Sequence, residues 1–225
     1  MLDFILPILA VVIGLLFTLW FSESKHMNLK LLLTFSGAFL LSTTVFELLP
    51  GVYSSLNAKL TGVYILTGII LQNILELFSK GAEHGHLHHQ DNQRKIFPWF
   101  LFLSLGVHAF LEGFPISAHH TIVYGVFVHK IPVAILFVSY LLISKLPKAQ
   151  VVLFLIAFAV LTPLGTLTAQ TVVFSDDLIY SINALVAGMF FHIATIILFE
   201  ADQGHKFNLN KIAAIVVAVV IAYFI

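Results

Sequence analysis

The sequence predicts an all-α, polytopic membrane protein with eight transmembrane helices in a single bundle. Of its 225 residues, 60% are hydrophobic and only 10% are charged, which is far from the composition of a soluble domain. Apolar stretches of about 20 residues, enough to cross roughly 30 Å of hydrocarbon, recur along the chain. The predicted spans lie at about 4–22, 30–52, 60–80, 98–118, 122–144, 150–173, 177–200 and 208–225.

The connections between these spans predict one transmembrane domain over residues 1–225. All are short except the polar, histidine-rich stretch "SKGAEHGHLHHQDNQRK", which predicts a loop at about 80–97. The first span is preceded by no Lys or Arg and followed by no small-residue cleavage site, so we expect a retained helix and not a signal peptide. The chain has no cysteine, which excludes disulfides, thiolate metal sites and cysteine nucleophiles. The formal net charge is zero, so no basic surface favours nucleic acid as a partner.

The placement of the basic residues predicts the orientation. Cytoplasmic connections of membrane proteins are enriched in Lys and Arg, and with an outside N-terminus all the loop bases except Lys59 fall on the inside. That arrangement predicts both termini outside and the histidine-rich loop in the cytoplasm. The short connections and the retained first helix favour a prokaryotic inner (plasma) membrane. The inside bases are Lys25, Lys30, Lys80, Arg94, Lys95, Lys145, Lys148, Lys206 and Lys211.

Ionisable residues within the predicted spans are the strongest functional signal, because burying them in hydrocarbon is costly and they usually face a bundle interior. His108 and Glu112, in "GVHAFLEGFP", are four residues apart and share one helix face. His129 on the next helix is expected at a similar depth, so the three can meet. The full set is Glu47, Glu76, His108, Glu112, His129, Lys130 and His192.

Two imidazoles and one carboxylate form a ligand set that suits Zn²⁺ and, less selectively, Fe²⁺, Mn²⁺, Co²⁺ and Cd²⁺. His108, Glu112 and His129 therefore predict an intramembrane metal site. The alternative is that His108 and Glu112 only hydrogen-bond to each other and hold helices together. Lys130 occupies the place where a second metal ion would need a carboxylate, so we expect a single ion; its ammonium either pairs with Glu112 or points to another face.

Further histidines are candidate metal ligands of a weaker kind. His192 lies near the expected depth of His108 and is either a fourth ligand, a proton acceptor or a packing histidine. His119 and His120 fall at the predicted outer mouth, where they can collect ions or be plain surface histidines. The cytoplasmic loop contributes a tract of the kind that binds metal weakly, although polar loops also tolerate histidine without a role. The loop histidines are His84, His86, His88 and His89.

These motifs resemble the ZIP family of zinc and iron permeases. "LGVHAFLEGFPIS" is similar to its fourth-span signature His-x-x-x-(Asp/Glu)-Gly, which places His108, Glu112 and Gly113 on metal-binding positions. "VHKIPVAI" resembles the fifth-span signature but has Lys130 and Val133 where acidic residues are usual, as in the His-Lys version of one zinc-transporting branch. The resemblance implies eight spans, outside termini and movement of ions toward the cytosol. It leaves a mononuclear site of His108, Glu112 and His129.

We therefore predict a divalent-cation transporter that takes up zinc into the cytosol and needs no cofactor. Two alternatives use the same residues: an intramembrane zinc-dependent hydrolase, in which the bound ion activates water, and a metal sensor without transport. The hydrolase lacks an H-E-x-x-H pair and a second carboxylate beside the centre. The expected partners are divalent ions and the lipid bilayer, and the small residues on the helices would permit a homodimer.

Overall fold

A computed structural model describes residues 1–21, 29–79, 99–144, 146–200 and 209–225 of the chain. Every regular element in these ranges is helical, which confirms the predicted all-α class. The helices are α1 (Leu2–Phe21), α2 (Leu29–Thr43), a π-helical turn (Thr44–Leu48), α3 (Leu49–Ser55), α4 (Ala58–Ser79), α5 (Trp99–Leu111), α6 (Gly113–Ala118), α7 (Ile122–Ile143), α8 (Lys148–Thr171), α9 (Asp176–Glu200) and α10 (Leu209–Tyr223).

The helices agree with the predicted spans. Within the described residues, seven helical segments are long and apolar enough to cross a membrane. The second runs from α2 through the π-helical turn into α3, and the fourth combines α5 with α6. The eighth predicted span is α10, an apolar helix of 15 residues and the shortest of the set. The histidine-rich loop lies outside the described residues.

Both chain termini lie at the same end of the bundle. Asp3 contacts His120 at 2.9 Å between Oδ2 and Nδ1, and the ring of Tyr223 lies 5.9 Å from that of Phe46. We call this the His119 end, because the connection between α6 and α7 lies there. Helices of alternating direction then place the ends of α4, α7 and α9 at the opposite end.

The burial pattern is that of a bundle with an apolar exterior. Large apolar side chains such as Leu66 on α4 and Leu153 on α8 are more than half exposed, as expected for a surface that faces lipid. Many polar side chains are buried, and α2 buries a row of hydroxyl groups that donate to carbonyls of their own helix. The buried hydroxyl residues of this row are Thr34, Ser36, Ser42 and Thr43.

Helices α4 and α9 are in backbone contact through two glycines. A side chain at Gly68 would overlap the carbonyl of Leu185, and one at Gly188 would overlap the carbonyl of Ile65. Small residues allow such close approach between transmembrane helices. The reciprocal contact fixes the register of α4 against α9, and with it the polar side chains that both helices carry further along.

Candidate metal centre

Glu112 lies at a break between two helices. Helix α5 ends at Leu111 and α6 begins at Gly113. Pro115 has no backbone N–H to offer the carbonyl of Leu111, so the α-helical ladder cannot continue unchanged through this point. Glu112 itself still donates its N–H to the carbonyl of His108 at 3.0 Å. The sequence "LEGFP" thus places a carboxylate at a helix junction, directly after the turn that carries His108.

Helix α8 approaches this junction closely. A side chain at Gly113 would overlap the backbone of Thr162 and Thr166, and a side chain at Gly165 would overlap the carbonyl of Phe110. The hydroxyl of Thr166 also donates to the carbonyl of Gly113 at 3.0 Å. This backbone contact brings Thr162 beside Glu112.

Glu112, Lys130 and Thr162 form a closed triangle of hydrogen bonds. Lys130 Nζ donates to Glu112 Oε1 at 2.5 Å and to Thr162 Oγ1 at 2.7 Å. The Thr162 hydroxyl, which accepts from the ammonium, donates to the same Glu112 oxygen at 2.6 Å. The ammonium also lies 4.5 Å from the centre of the Phe158 ring, within the range of a cation–π contact. Of the two orientations predicted for Lys130, pairing with Glu112 is therefore the one observed.

His108 faces the other oxygen of the same carboxylate. Its Nε2 lies 3.4 Å from Glu112 Oε2, and its Nδ1 lies 3.2 Å from Gln72 Oε1 on α4. An amide oxygen only accepts, so Nδ1 is the donor in this contact. A neutral His108 then carries its lone pair on Nε2, directed at the carboxylate. Gln72 therefore orients the ring so that Nε2 faces Glu112.

His129 completes the predicted set. Its ring centre lies 6.4 Å from that of His108, with the two planes at 79°, and its side chain is almost fully buried, like those of His108 and Glu112. The structure thus brings the three predicted residues to one place in the bundle. Among the described residues, however, no group of three histidine or acidic side chains is arranged so that it could hold a metal ion, and one oxygen of Glu112 is held by Lys130.

His192 contacts a carboxylate on α4. Its Nε2 lies 2.8 Å from Oε2 of Glu76 on α4, and both side chains are mostly buried. Glu76 follows Gln72 by four residues, so the two share one face of α4. Gln72 and Glu76 therefore connect the two histidine sites along one helix: His108 contacts the first, and His192 contacts the second.

A separate group of polar residues lies at the His119 end. Thr121 Oγ1 donates to Glu47 Oε2 at 3.1 Å, and His120 Nδ1 contacts Asp3. The ring of His119 lies against Gly51, where any side chain at that glycine would overlap it. The two predicted mouth histidines therefore differ in environment, since the side chain of His120 is 73% exposed.

Sequence reasoning missed Gln72 and Thr162. An amide in the middle of an apolar span was a usable signal for Gln72, since buried amides need partners. Nothing in the type of Thr162 distinguishes it from the other threonines of α8, most of which bond to their own helix. The loop histidines His84, His86, His88 and His89 fall outside the described residues.

Two comparisons with known proteins bear on this centre. A family model described as ZIP Zinc transporter matches residues 79–225, more than half of the chain. The matched region includes His108, Glu112, His129 and His192. A search of curated proteins found no match.

Proposed function

The chain belongs to the ZIP zinc transporter family, and we propose that it takes up Zn²⁺ into the cytosol through a centre formed by His108, Glu112 and His129. Family membership together with the seven apolar helical segments makes it an integral, multi-pass membrane protein that transports metal ions. Members of this family are transporters and not enzymes, so the hydrolase alternative does not hold.

One distance carries the proposal for the centre. Ligands of a tetrahedral zinc ion, each about 2.0 Å from the metal, are separated by roughly 3.3 Å. The gap between His108 Nε2 and Glu112 Oε2 is 3.4 Å, which is long for a charge-assisted hydrogen bond. The two atoms are therefore spaced as neighbouring ligands of one ion. The alternative in which this pair only ties helices together does not account for the buried His129 ring beside it.

The carboxylate of Glu112 can serve Lys130 and an ion at the same time. Oε1 is engaged by Lys130 and Thr162, whereas Oε2 faces His108. A Zn²⁺ ion held by Oε2 would leave the Lys130 contact in place. Because an ammonium fills the far side of the carboxylate, we propose that the centre holds one ion and not two.

The path from this centre leads along α4 toward the end opposite His119. Glu76 lies one turn beyond Gln72 on the same face, and His192 contacts it at 2.8 Å. We place His192 with Glu76 on the exit path and not as a fourth ligand of the centre. The distribution of Lys and Arg makes the His119 end the outer end, so this direction is toward the cytosol and the histidine-rich loop.

Ion binding to purified protein tests this centre. Equilibrium dialysis against Zn²⁺ would be done on a chain in which the four loop histidines are replaced by alanine, so that they contribute no sites. We expect one tight ion per chain, lost in His108→Ala and in Glu112→Gln. Dialysis against Fe²⁺, Mn²⁺, Co²⁺ and Cd²⁺ ranks the other candidate ions. Two tight ions, or one that survives both substitutions, would overturn the proposed centre.

A further inference from the structure

The connection between α6 and α7 ties three parts of the His119 end together. His119 packs on Gly51 of α3, His120 contacts Asp3 of α1, and Thr121 donates to Glu47 of the π-helical turn. Three consecutive side chains thus contact three different elements. Two of them, His119 and Thr121, converge on the segment that carries Glu47.

We propose that Glu47 and His119 form a second, weaker binding site for a divalent cation, which captures the ion at the outer mouth before it reaches the buried centre. The inference deepens the proposed transport function and rests on it. Neither residue belongs to the centre of His108, Glu112 and His129. Carboxylate and imidazole are ligands of the same class as those of the centre.

The carboxylate of this site is held in position. Glu47 lies within the π-helical turn Thr44–Leu48, a local widening of the helix that often occurs at functional sites. Its Oε2 accepts the hydroxyl proton of Thr121 at 3.1 Å. One hydrogen bond orients the group but leaves lone pairs on both oxygens for an ion.

The imidazole of His119 packs against a glycine, Gly51. Gly51 follows Glu47 by four residues, so the two lie on neighbouring turns of one face. The Cε1 and Nε2 atoms of His119 occupy the space that a side chain at Gly51 would fill. His119 Nε2 is buried and has no hydrogen-bond partner among the described residues. A buried nitrogen without a partner is costly in a folded protein, and an ion bound between it and Glu47 would satisfy it.

His120 lacks these features and serves as the matched control. It sits on the same connection, yet its ring is 73% exposed and its Nδ1 contacts Asp3 at 2.9 Å. Its role is to tie α1 to the connection. The two adjacent histidines, which look equivalent in the sequence, therefore differ in exposure and in the residues that they contact.

The ring of His119 is half-buried close to Glu47. Burial lowers the pKa of His119, and the nearby Glu47 carboxylate opposes that effect only in part. With only two protein ligands the site must complete its coordination with water, which suits an ion that is to be passed on.

The test separates this site from the centre by disabling the centre. Zn²⁺ binding would be measured by equilibrium dialysis on protein that carries His108→Ala and has the four loop histidines replaced by alanine. One weak ion should remain, and its affinity should fall at least about 10-fold, the loss typical of a disturbed metal shell, on adding His119→Ala or Glu47→Gln. Adding His120→Ala should leave it unchanged.

A second variant covers the case in which the His119 substitution impairs folding. Gly51→Ala leaves Glu47 and His119 in the chain but places a methyl group where the imidazole lies, so it should weaken the remaining ion in the same way. The inference is overturned if no weak ion remains in the background protein, or if its affinity is equal in the His119→Ala and His120→Ala versions. The experiment measures zinc binding and not transport, so its result does not depend on whether the protein transports zinc.

Discussion

The ammonium of Lys130 lies 2.5 Å from Oε1 of Glu112, and the side chains of both residues are 2% exposed. Each charge compensates the other where water is excluded, and Thr162 bonds to both. Breaking such a pair by removing one partner leaves a buried charge, whereas removing both is far less costly. The pair therefore explains how a carboxylate can remain charged in the bundle before any ion arrives.

Removal of the ammonium should destabilise the ion-free protein. Lys130→Met leaves Glu112 as an uncompensated buried charge, at a cost of about 3 to 5 kcal/mol. Thermal unfolding in detergent should show a lower Tm for this variant than for the unaltered chain. Added Zn²⁺ should raise the Tm of Lys130→Met by more than that of the unaltered protein, because the ion then replaces the missing charge. Equal shifts would mean that zinc does not bind at Glu112.

Loss of the Thr162 hydroxyl should weaken the centre without changing its charge. Thr162→Val removes a buried donor to Glu112 and an acceptor for Lys130, which should cost about 2 kcal/mol of stability and lower zinc affinity. Thr168→Val is the control, since that hydroxyl donates to the carbonyl of Leu164 on its own helix. Chemical unfolding and zinc dialysis of both variants check this. If the two behave alike, the triangle around Glu112 contributes nothing specific.

The close contact between α8 and the Glu112 junction should tolerate no side chain. Gly113→Ala and Gly165→Ala each place a methyl group against the backbone of the other helix, so the helices must separate and Thr162 must move away from Glu112. We expect zinc uptake to be lost in both. Gly62→Ala is the control, because nothing lies within 4 Å of the added group. If zinc uptake survives in all three variants, the contact between α8 and the Glu112 junction is not needed to form the centre.

Acidification should weaken uptake. Zn²⁺ binds neutral imidazole, so protons compete with it for His108 and His129 as the pH falls. Initial rates in proteoliposomes at subsaturating zinc should therefore drop between about pH 7.5 and about pH 5.5. The interior pH would be held constant, so that only the outer side is varied. A flat profile would show that proton competition at these histidines does not limit uptake.

The sequence predicts where the helices lie along the chain far better than it predicts which helices pack against one another. The length and hydropathy of each span follow from local composition, and the shared face of His108 and Glu112 follows from helix geometry. The contacts of Gln72 with His108, and of Glu76 with His192, depend on which helices lie next to α4. That arrangement is set by close backbone contacts such as the one between Gly68 and α9, which no local sequence pattern reveals.

The contacts of Lys130 and His119 likewise depend on helix packing and do not follow from the local sequence. The position of Lys130 predicts that a metal ligand is replaced. Whether its ammonium pairs with Glu112 or points to another face depends on how α7 packs against α8 and the Glu112 junction. His119 and His120 are equivalent by residue type and position. Only the contact with Gly51, distant in sequence, distinguishes the half-buried imidazole of His119 from the exposed imidazole of His120. The orientation of the termini, the histidine-rich loop and the homodimer remain predictions from the sequence.

The most direct test of the central claim is Zn²⁺ influx into proteoliposomes that contain a trapped fluorescent indicator. The unaltered protein would be compared with His108→Ala, Glu112→Gln and the control Thr168→Val, with equal insertion verified for each. We predict influx in the unaltered protein and in the control, and none in the two centre variants. Influx that persists in both centre variants would contradict the proposed path. A lack of influx in every sample, with zinc still bound, would favour the metal sensor.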